Sequence, residues 1–378
     1  MLLLDLIFSI SLPKIKHSYR TFFCNIIPQV QYNMTGSDRL VLVTGANGFI
    51  ATHVLQNLLQ GGYHVRGVVR SQASADAVLE TFPEHSGSLS VIVVPSMTIA
   101  GAFDQAVKDV DAVLHTASPF TLSVKDNETE MLVPAIKMTK GLLESASMHG
   151  AEIKRVVITS SFAAMVDLTK GLWPGHTYNE ADWNQITYDY AKTADAGTAY
   201  VASKALAEKA AWQFVQDRKP HFDITVLCPP MVFGPPAHPL SFSALNIAAW
   251  DINRFLSGEL HDVPDTDFWG FVDVRDLATA HVRALEVSEA GNERFLIAGG
   301  RYSYQQTADV LRASPRIPDA EKKRIPRGHP GDDYPGPNVY ELDNSKSIRI
   351  LGVEYRSFEE SIVDSAVKVI EARRKAGI

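Results

Sequence analysis

Apolar residues follow two alternating rhythms along this chain. Leu40–Val43, Tyr63–Val69, Leu89–Val94, Ala112–Ser118, Val156–Ser161 and Ile224–Leu227 are short segments built on apolar, often β-branched runs. Such runs predict strands covered on both faces, as in a parallel sheet. Between them the spacing turns helical. One helix is expected from roughly Phe49 to Leu59, with Phe49, Val54, Leu55, Leu58 and Leu59 as its apolar set. Another begins over Ala102–Val107, and a long one covers roughly Thr129 to Met148, burying Met131, Leu132, Ile136, Leu142 and Leu143. The alanine-rich stretch through Tyr200 and Ala210 has good helix propensity. Regular alternation of this kind predicts an α/β fold, a doubly wound parallel sheet.

Beyond Pro236 the rhythm breaks. Ser241–Glu259 reads as helix, Phe271–Val274 as a short strand, and Asp276 as the cap of a helix over Leu277–Glu286. Arg294–Ile297 is another short strand and Phe358–Arg373 a closing amphipathic helix, whereas Ser314–Asn338 holds six prolines and reads as loop. The expected organisation is an extension over residues 1–37 that stands outside the fold, a doubly wound domain over 38–236, and a lobe over 237–378 with elements returning to that domain.

Composition narrows the function classes. With 378 residues and 46% apolar content a large core is affordable. A formal charge of −7 disfavours nucleic acid or an anionic membrane as partner. Two cysteines, Cys24 and Cys228, make no disulfide framework, which suits a reducing compartment and a cytoplasmic location. Apolar stretches stay short of a membrane span. Met1–Leu12 is apolar but interrupted by Asp5, and Lys14, Lys16 and Arg20 follow it, the reverse of a secretory signal. It reads as an extension, as sequence upstream of a start at Met34, or as a weak targeting segment. The histidines show no metal-ligand spacing, so no metal is expected.

The first strand runs straight into Thr44–Gly45–Ala46–Asn47–Gly48–Phe49–Ile50–Ala51. Glycines at 45 and 48 let a pyrophosphate approach the backbone, the next helix points its first N–H groups at that phosphate, and Ala51 keeps helix and strand close. That makes Gly45, Asn47, Gly48, Phe49 and Ile50 candidate dinucleotide contacts. Arg70 follows the second strand, 25 residues past Gly45, and no Asp or Glu occurs between Gly61 and Ala75. A carboxylate there would bind the ribose 2′-hydroxyl of NAD; a guanidinium suits a 2′-phosphate. The expected cofactor is therefore NADPH. Ala117, small and at a strand end, suits its close passage.

Ser161, Tyr200 and Lys204 carry the candidate chemistry. Tyr200 and Lys204 stand four apart on one helical face. An ammonium beside a phenol favours the phenolate and lowers its pKa, and Lys204 could also hold ribose hydroxyls. A serine hydroxyl can hold a carbonyl oxygen whose charge grows in the reaction.

Together these segments resemble an extended short-chain dehydrogenase/reductase of the dihydroflavonol-reductase-like branch, which includes fungal and yeast NADPH-dependent aldehyde and ketone reductases. Val43–Ala51, Val68–Ser71, His115–Phe120, Thr159–Ser161, Tyr200–Lys204, Phe271–Asp276 and Asp343–Lys346 carry the likeness, which runs from about Asp38 to the end. The resemblance implies a Rossmann-type sheet with a smaller substrate lobe, and NADPH-dependent reduction of an aldehyde or ketone. It picks Ser161 over Ser160 as catalytic, makes Tyr200 the proton donor, and adds Pro229 and Val232 to the cofactor contacts. It places Phe120, Phe162, Met165 and Phe233 at the substrate end. The partner expected is a small carbonyl compound, and the protein a monomer or homodimer.

Two departures stand out. Ser96–Met97 replaces the Asp–Leu usual where adenine binds, and the Val166–Ala199 loop carries no flavonoid-binding text. A 3β-hydroxysteroid-type dehydrogenase or a nucleotide-sugar epimerase would use the same scaffold, but with an acidic residue where Arg70 stands. An NADP-sensing regulatory protein is the reading outside enzymes.

Overall fold

Leu40–Thr44 (β1) alternates its side chains between two helix layers, and the molecule is built outward from it. Val41 and Val43 enter one apolar cluster and Leu42 the other. The computed structural model describes residues 39–118, 124–238, 240, 242, 245–332 and 334–378. Expectations for residues 1–37 and for Phe120 lie outside the described residues.

β1 pairs in parallel with His64–Val69 (β2) and Ala112–His115 (β4). Leu89–Val93 (β3), Arg155–Thr159 (β5), Asp223–Cys228 (β6) and Glu293–Leu296 (β7) complete a parallel sheet of seven strands, in the order β7-β6-β5-β4-β1-β2-β3. This is a Rossmann-type doubly wound sheet. Its order reverses between β1 and β4, and the crevice outside the carboxyl ends at that switch is where such sheets take ligands.

Helices Phe49–Gln60 (α1) and Val274–Glu286 (α6) cover one face, Val133–His149 (α3) and Ala196–Arg218 (α4) the other. Gln72–Thr81 (α2) packs beside β2 and β3. Leu42, Val113, Val156 and Val226 are fully buried on the α3/α4 side; Val43, Leu114, Val157 and Leu227 are fully buried on the α1/α6 side. Each such side chain contributes roughly 1.5–3 kcal/mol when removed from water. A third cluster unites Ile247–Ser257 (α5), Tyr304–Ala313 (α7) and Phe358–Ala376 (α8) around Phe233, Phe255, Tyr302 and Phe358. Met231–Phe233, Gly270–Asp273 and Gly300–Arg301 form a small separate sheet against it.

Three expectations shift. Ala102–Val107 is a series of turns instead of a helix, running between left-handed Gly101 and Asp109; it still buries Phe103, Ala106 and Val107. Of the helix expected over Ser241–Glu259, part of whose start lies outside the described residues, the structure shows Ile247–Ser257, where Asn246 accepts the Ala249 N–H as its cap. Asp273, not Asp276, caps α6, because the extended end of the preceding strand aims its carboxylate at the Arg275 N–H, 2.8 Å away. Asp276 lies buried in the first turn and accepts the Arg356 N–H at 2.7 Å.

Candidate active site

The carboxyl ends of β1, β4 and β5 bring the candidate residues to one edge of the sheet. β1 runs straight into Gly45, in the left-handed region at φ +67°. A Cβ there would lie 3.0 Å from the Cα of Ala117, just past β4. A Cβ at Gly48 would lie 3.1 Å from the Gly45 carbonyl oxygen. No side chain caps α1, whose N-cap is Gly48, so its first turn offers backbone N–H groups to an anion. Asn47 and Gly48 are exposed, and Phe49 and Ile50 half-buried. Arg70 is exposed at the end of β2. A shallow, glycine-lined cradle with a guanidinium one strand away fits a phosphorylated dinucleotide.

Thr44 sets the floor of this cradle. Its hydroxyl accepts the Ala117 N–H at 3.2 Å and lies 2.7 Å from Nδ1 of His115, while the Thr116 hydroxyl donates to its carbonyl at 2.6 Å. Burial, reinforced by the Lys204 charge, pushes His115 down to about 4, so its ring is neutral at physiological pH.

β5 delivers two hydroxyls that go different ways. Ser160 donates to Oε2 of Glu208 at 2.5 Å. Ser161 begins the helical turn Phe162–Ala164: its Oγ accepts the Ala163 N–H at 3.1 Å and reaches the Pro229 carbonyl at 3.5 Å. The turn is held from the other side, since the Phe162 N–H donates to the same carbonyl at 2.8 Å. Helix α4, started by the Asp195 carboxylate accepting the Thr198 N–H at 3.0 Å, packs on this turn. It carries Tyr200 and Lys204. The Lys204 ammonium lies 5.3 Å from the centre of the Tyr200 ring and donates to the Ser118 hydroxyl.

Burial governs both titrations. It lowers Lys204 to about 8 and raises the Tyr200 phenol above its ordinary value. The expected lowering of the phenol by its lysine is therefore not what this geometry expresses: desolvation prevails, and Tyr200 holds its proton.

The residues expected at the substrate end are placed otherwise. Phe162 and Met165 are fully buried in the α3/α4-side core, where Phe162 meets the Tyr178 ring edge-on at 5.1 Å. Phe233 is packed against Tyr302 in the lobe core, with ring centres 5.1 Å apart. Apolar side chains beside a site face the core whenever a large apolar surface lies there to receive them, and none of these three lines an open cleft. Val232 is half-buried in a strand paired with Val272, and Pro229 serves through its carbonyl. Sequence reasoning missed Glu208 and Arg294, which form a buried ion pair at 2.6 Å behind Ser160. A glutamate four residues after Lys204 in an alanine-rich helix was the available signal.

The profile of the NAD dependent epimerase/dehydratase family matches residues 41–298. The chain belongs to that family. Within it the chain falls in the extended short-chain dehydrogenase/reductase branch, for it is 36% identical over 340 residues to the NADPH-dependent methylglyoxal reductase GRE2 of Saccharomyces cerevisiae, covering 88% of this chain and 98% of that protein. It is 37% identical over 341 residues to the ketoreductase azaE of Aspergillus niger, covering 88% and 97%. Among solved structures, yeast methylglyoxal/isovaleraldehyde reductase Gre2 complexed with NADPH superposes with a TM-score of 0.83 at 35% identity, covering 90% of this family member and 100% of that chain.

Proposed function

We propose that this protein reduces an aldehyde or ketone to an alcohol with NADPH. The observation that carries the reading is the meeting, at one sheet edge, of the Ser161 turn, the Tyr200–Lys204 helix and the glycine cradle. Relatives named as NADPH-dependent reductases and a ketoreductase support it. Gly45, Asn47, Gly48, Phe49 and Ile50 would hold the pyrophosphate side of the cofactor and Arg70 its 2′-phosphate. Ala117, Pro229 and Val232, with Tyr200 and Lys204, would hold the nicotinamide side. When bound, NADPH supplies the hydride that reaches the carbonyl carbon.

The protein's own groups handle the oxygen. The Ser161 hydroxyl donates a hydrogen bond to it, and preorganised donors of this kind act most strongly where negative charge develops. The Tyr200 phenol gives the oxygen its proton, and the raised affinity of that phenol for its proton keeps the donor loaded at neutral pH. Lys204 steadies the phenolate left behind. A substrate free in the cytoplasm, and a monomeric or homodimeric enzyme, complete the proposal. Among the described residues no helix is long and apolar enough to cross a membrane.

An acidic residue at position 70 would favour the steroid-dehydrogenase or epimerase reading; Arg70 does not. A cofactor-sensing protein would bind NADPH without consuming it. The test is NADPH oxidation across aldehydes, α-keto esters, diketones and flavanonols, with NADH as control, for the wild type and Tyr200→Phe. Turnover by the wild type, abolished in the variant with NADPH affinity preserved, is expected. An active Tyr200→Phe enzyme would refute the proton-donor assignment, and inertness of the wild type on every carbonyl would refute the reductase.

A further inference from the structure

Glu208 is fully buried two turns along α4 from Tyr200, and Arg294 is buried on β7 at the edge of the sheet. Arg294 satisfies all five guanidinium N–H groups. Its Nε and one Nη2 hydrogen go to the Glu208 carboxylate, at 2.6 and 3.3 Å. The second Nη2 hydrogen goes to the Ala164 carbonyl at 3.3 Å, and Nη1 serves the Glu180 and Asp182 carbonyls at 3.1 and 2.5 Å. The indole of Trp183 covers the cation at 3.9 Å. Glu208 in turn accepts the Ser160 hydroxyl at 2.5 Å and the Trp212 indole N–H at 3.2 Å.

These bonds end on either side of Ser161. Glu208 holds residue 160, the residue before it, and Arg294 holds the carbonyl of residue 164, which closes the turn that Ser161 starts. Both tethers run back to the helix that carries Tyr200 and Lys204. Ser160, Glu208 and Lys204 also line one small cavity. A planar bidentate pair fixes direction as well as distance, and a buried pair with every donor used holds its members in a single arrangement.

We propose that Glu208, acting through Ser160, and Arg294, acting through Glu208 and the Ala164 carbonyl, are positioning residues for carbonyl reduction. They set the Ser161 hydroxyl against the Tyr200 phenol and touch neither substrate nor cofactor. The proposal rests on the reductase reading above. Loosening the clamp displaces Ser161 and leaves the glycine cradle, on the far side of β4, untouched.

Ser160→Ala cuts the tether with the smallest change, and Ser160→Thr restores a hydroxyl in its place. Glu208→Gln removes the charge but not the shape. On the full chain we would measure kcat per NADPH-binding site, KM for the carbonyl, NADPH affinity and binding stoichiometry, and Tm. Misplacement of a reacting group by about 1 Å is costly, so Ser160→Ala and Glu208→Gln are expected to lower kcat per site by roughly tenfold or more. NADPH affinity should stay within about twofold of wild type, and Ser160→Thr should recover most of the rate. Should Glu208→Gln fail to fold, Ser160→Ala decides alone. A Ser160→Ala enzyme whose kcat per site is unchanged, while Tm or stoichiometry falls, would make the tie merely structural and overturn the proposal. A wild type that binds NADPH and reduces no carbonyl would overturn the reductase reading, and this proposal with it.

Discussion

The Thr44 hydroxyl and Nδ1 of His115 are 2.7 Å apart across the β1–β4 switch. That hydroxyl also accepts the Ala117 N–H, and burial keeps the imidazole neutral. His281 repeats the arrangement one strand over, with Nε2 facing the Thr159 hydroxyl at 2.7 Å and Nδ1 donating to the Leu277 carbonyl at 2.8 Å. Burial lowers it, like His115, to about 4.

Acid should therefore weaken the fold at the site edge. Both histidines bind protons more readily unfolded, near 6.5, than folded, near 4. The stability they confer is complete above the unfolded value and is lost as pH falls through the folded one. Tm measured against pH should decline between those limits. His115→Asn, which cannot titrate, should show a shallower decline, and an equally steep one would refute the assignment.

Lys204 gives a second pH effect, on activity. Its ammonium predominates below about 8 and gives way to the amine above that value. kcat/KM for NADPH, which reports the free enzyme, should be level through neutrality and fall across that pH. In Lys204→Met the activity should be low throughout, with the inflection gone. Persistence of the inflection would place the titrating group elsewhere.

Arg70 should set cofactor choice. Replacing its guanidinium with a carboxylate, Arg70→Asp, exchanges a 2′-phosphate partner for a 2′-hydroxyl partner. Losing a charge-assisted pair costs about 1.5–3 kcal/mol, so KM for NADPH should rise roughly tenfold to a hundredfold while NADH improves. Steady-state kinetics with both cofactors would decide, and an unchanged NADPH/NADH ratio would remove Arg70 from the site.

Gly45→Ala should fail for a backbone reason. The left-handed φ and the 3.0 Å approach to Ala117 Cα act together. We expect a loss of about 1–3 kcal/mol in stability, read by denaturant titration, with NADPH affinity falling more than Tm. A variant that binds NADPH normally would show that the approach is not tight.

Much of this was legible beforehand where one physical signal dominated. The central strands Leu40–Thr44, Ala112–His115, Arg155–Thr159 and Asp223–Cys228 are written as apolar runs because both their faces are buried. The helix starting at Phe49 follows a glycine turn with few alternatives. Where two structures bury the same residues the sequence is silent, so Phe103, Ala106 and Val107 suggested a helix although successive turns bury them equally well. Phe162, Met165 and Phe233 had the same ambiguity, since an apolar residue next to a site can face it or turn away. The Glu208–Arg294 pair joins residues 86 apart in the chain, a proximity that no local spacing encodes.

Strand Glu293–Leu296 pairs with Asp223–Cys228, yet two strands of the small sheet, Met231–Phe233 and Gly270–Asp273, intervene in the chain. During synthesis, the ribosome has long finished the helix carrying Tyr200 and Lys204 before it makes the residue that neutralises Glu208. A nascent chain stopped near Pro236 would carry a buried carboxylate with no counter-ion and a raw sheet edge, open to wrong pairings. Any replacement for the back half would have to supply both a cation for Glu208 and a strand for the open edge of Asp223–Cys228.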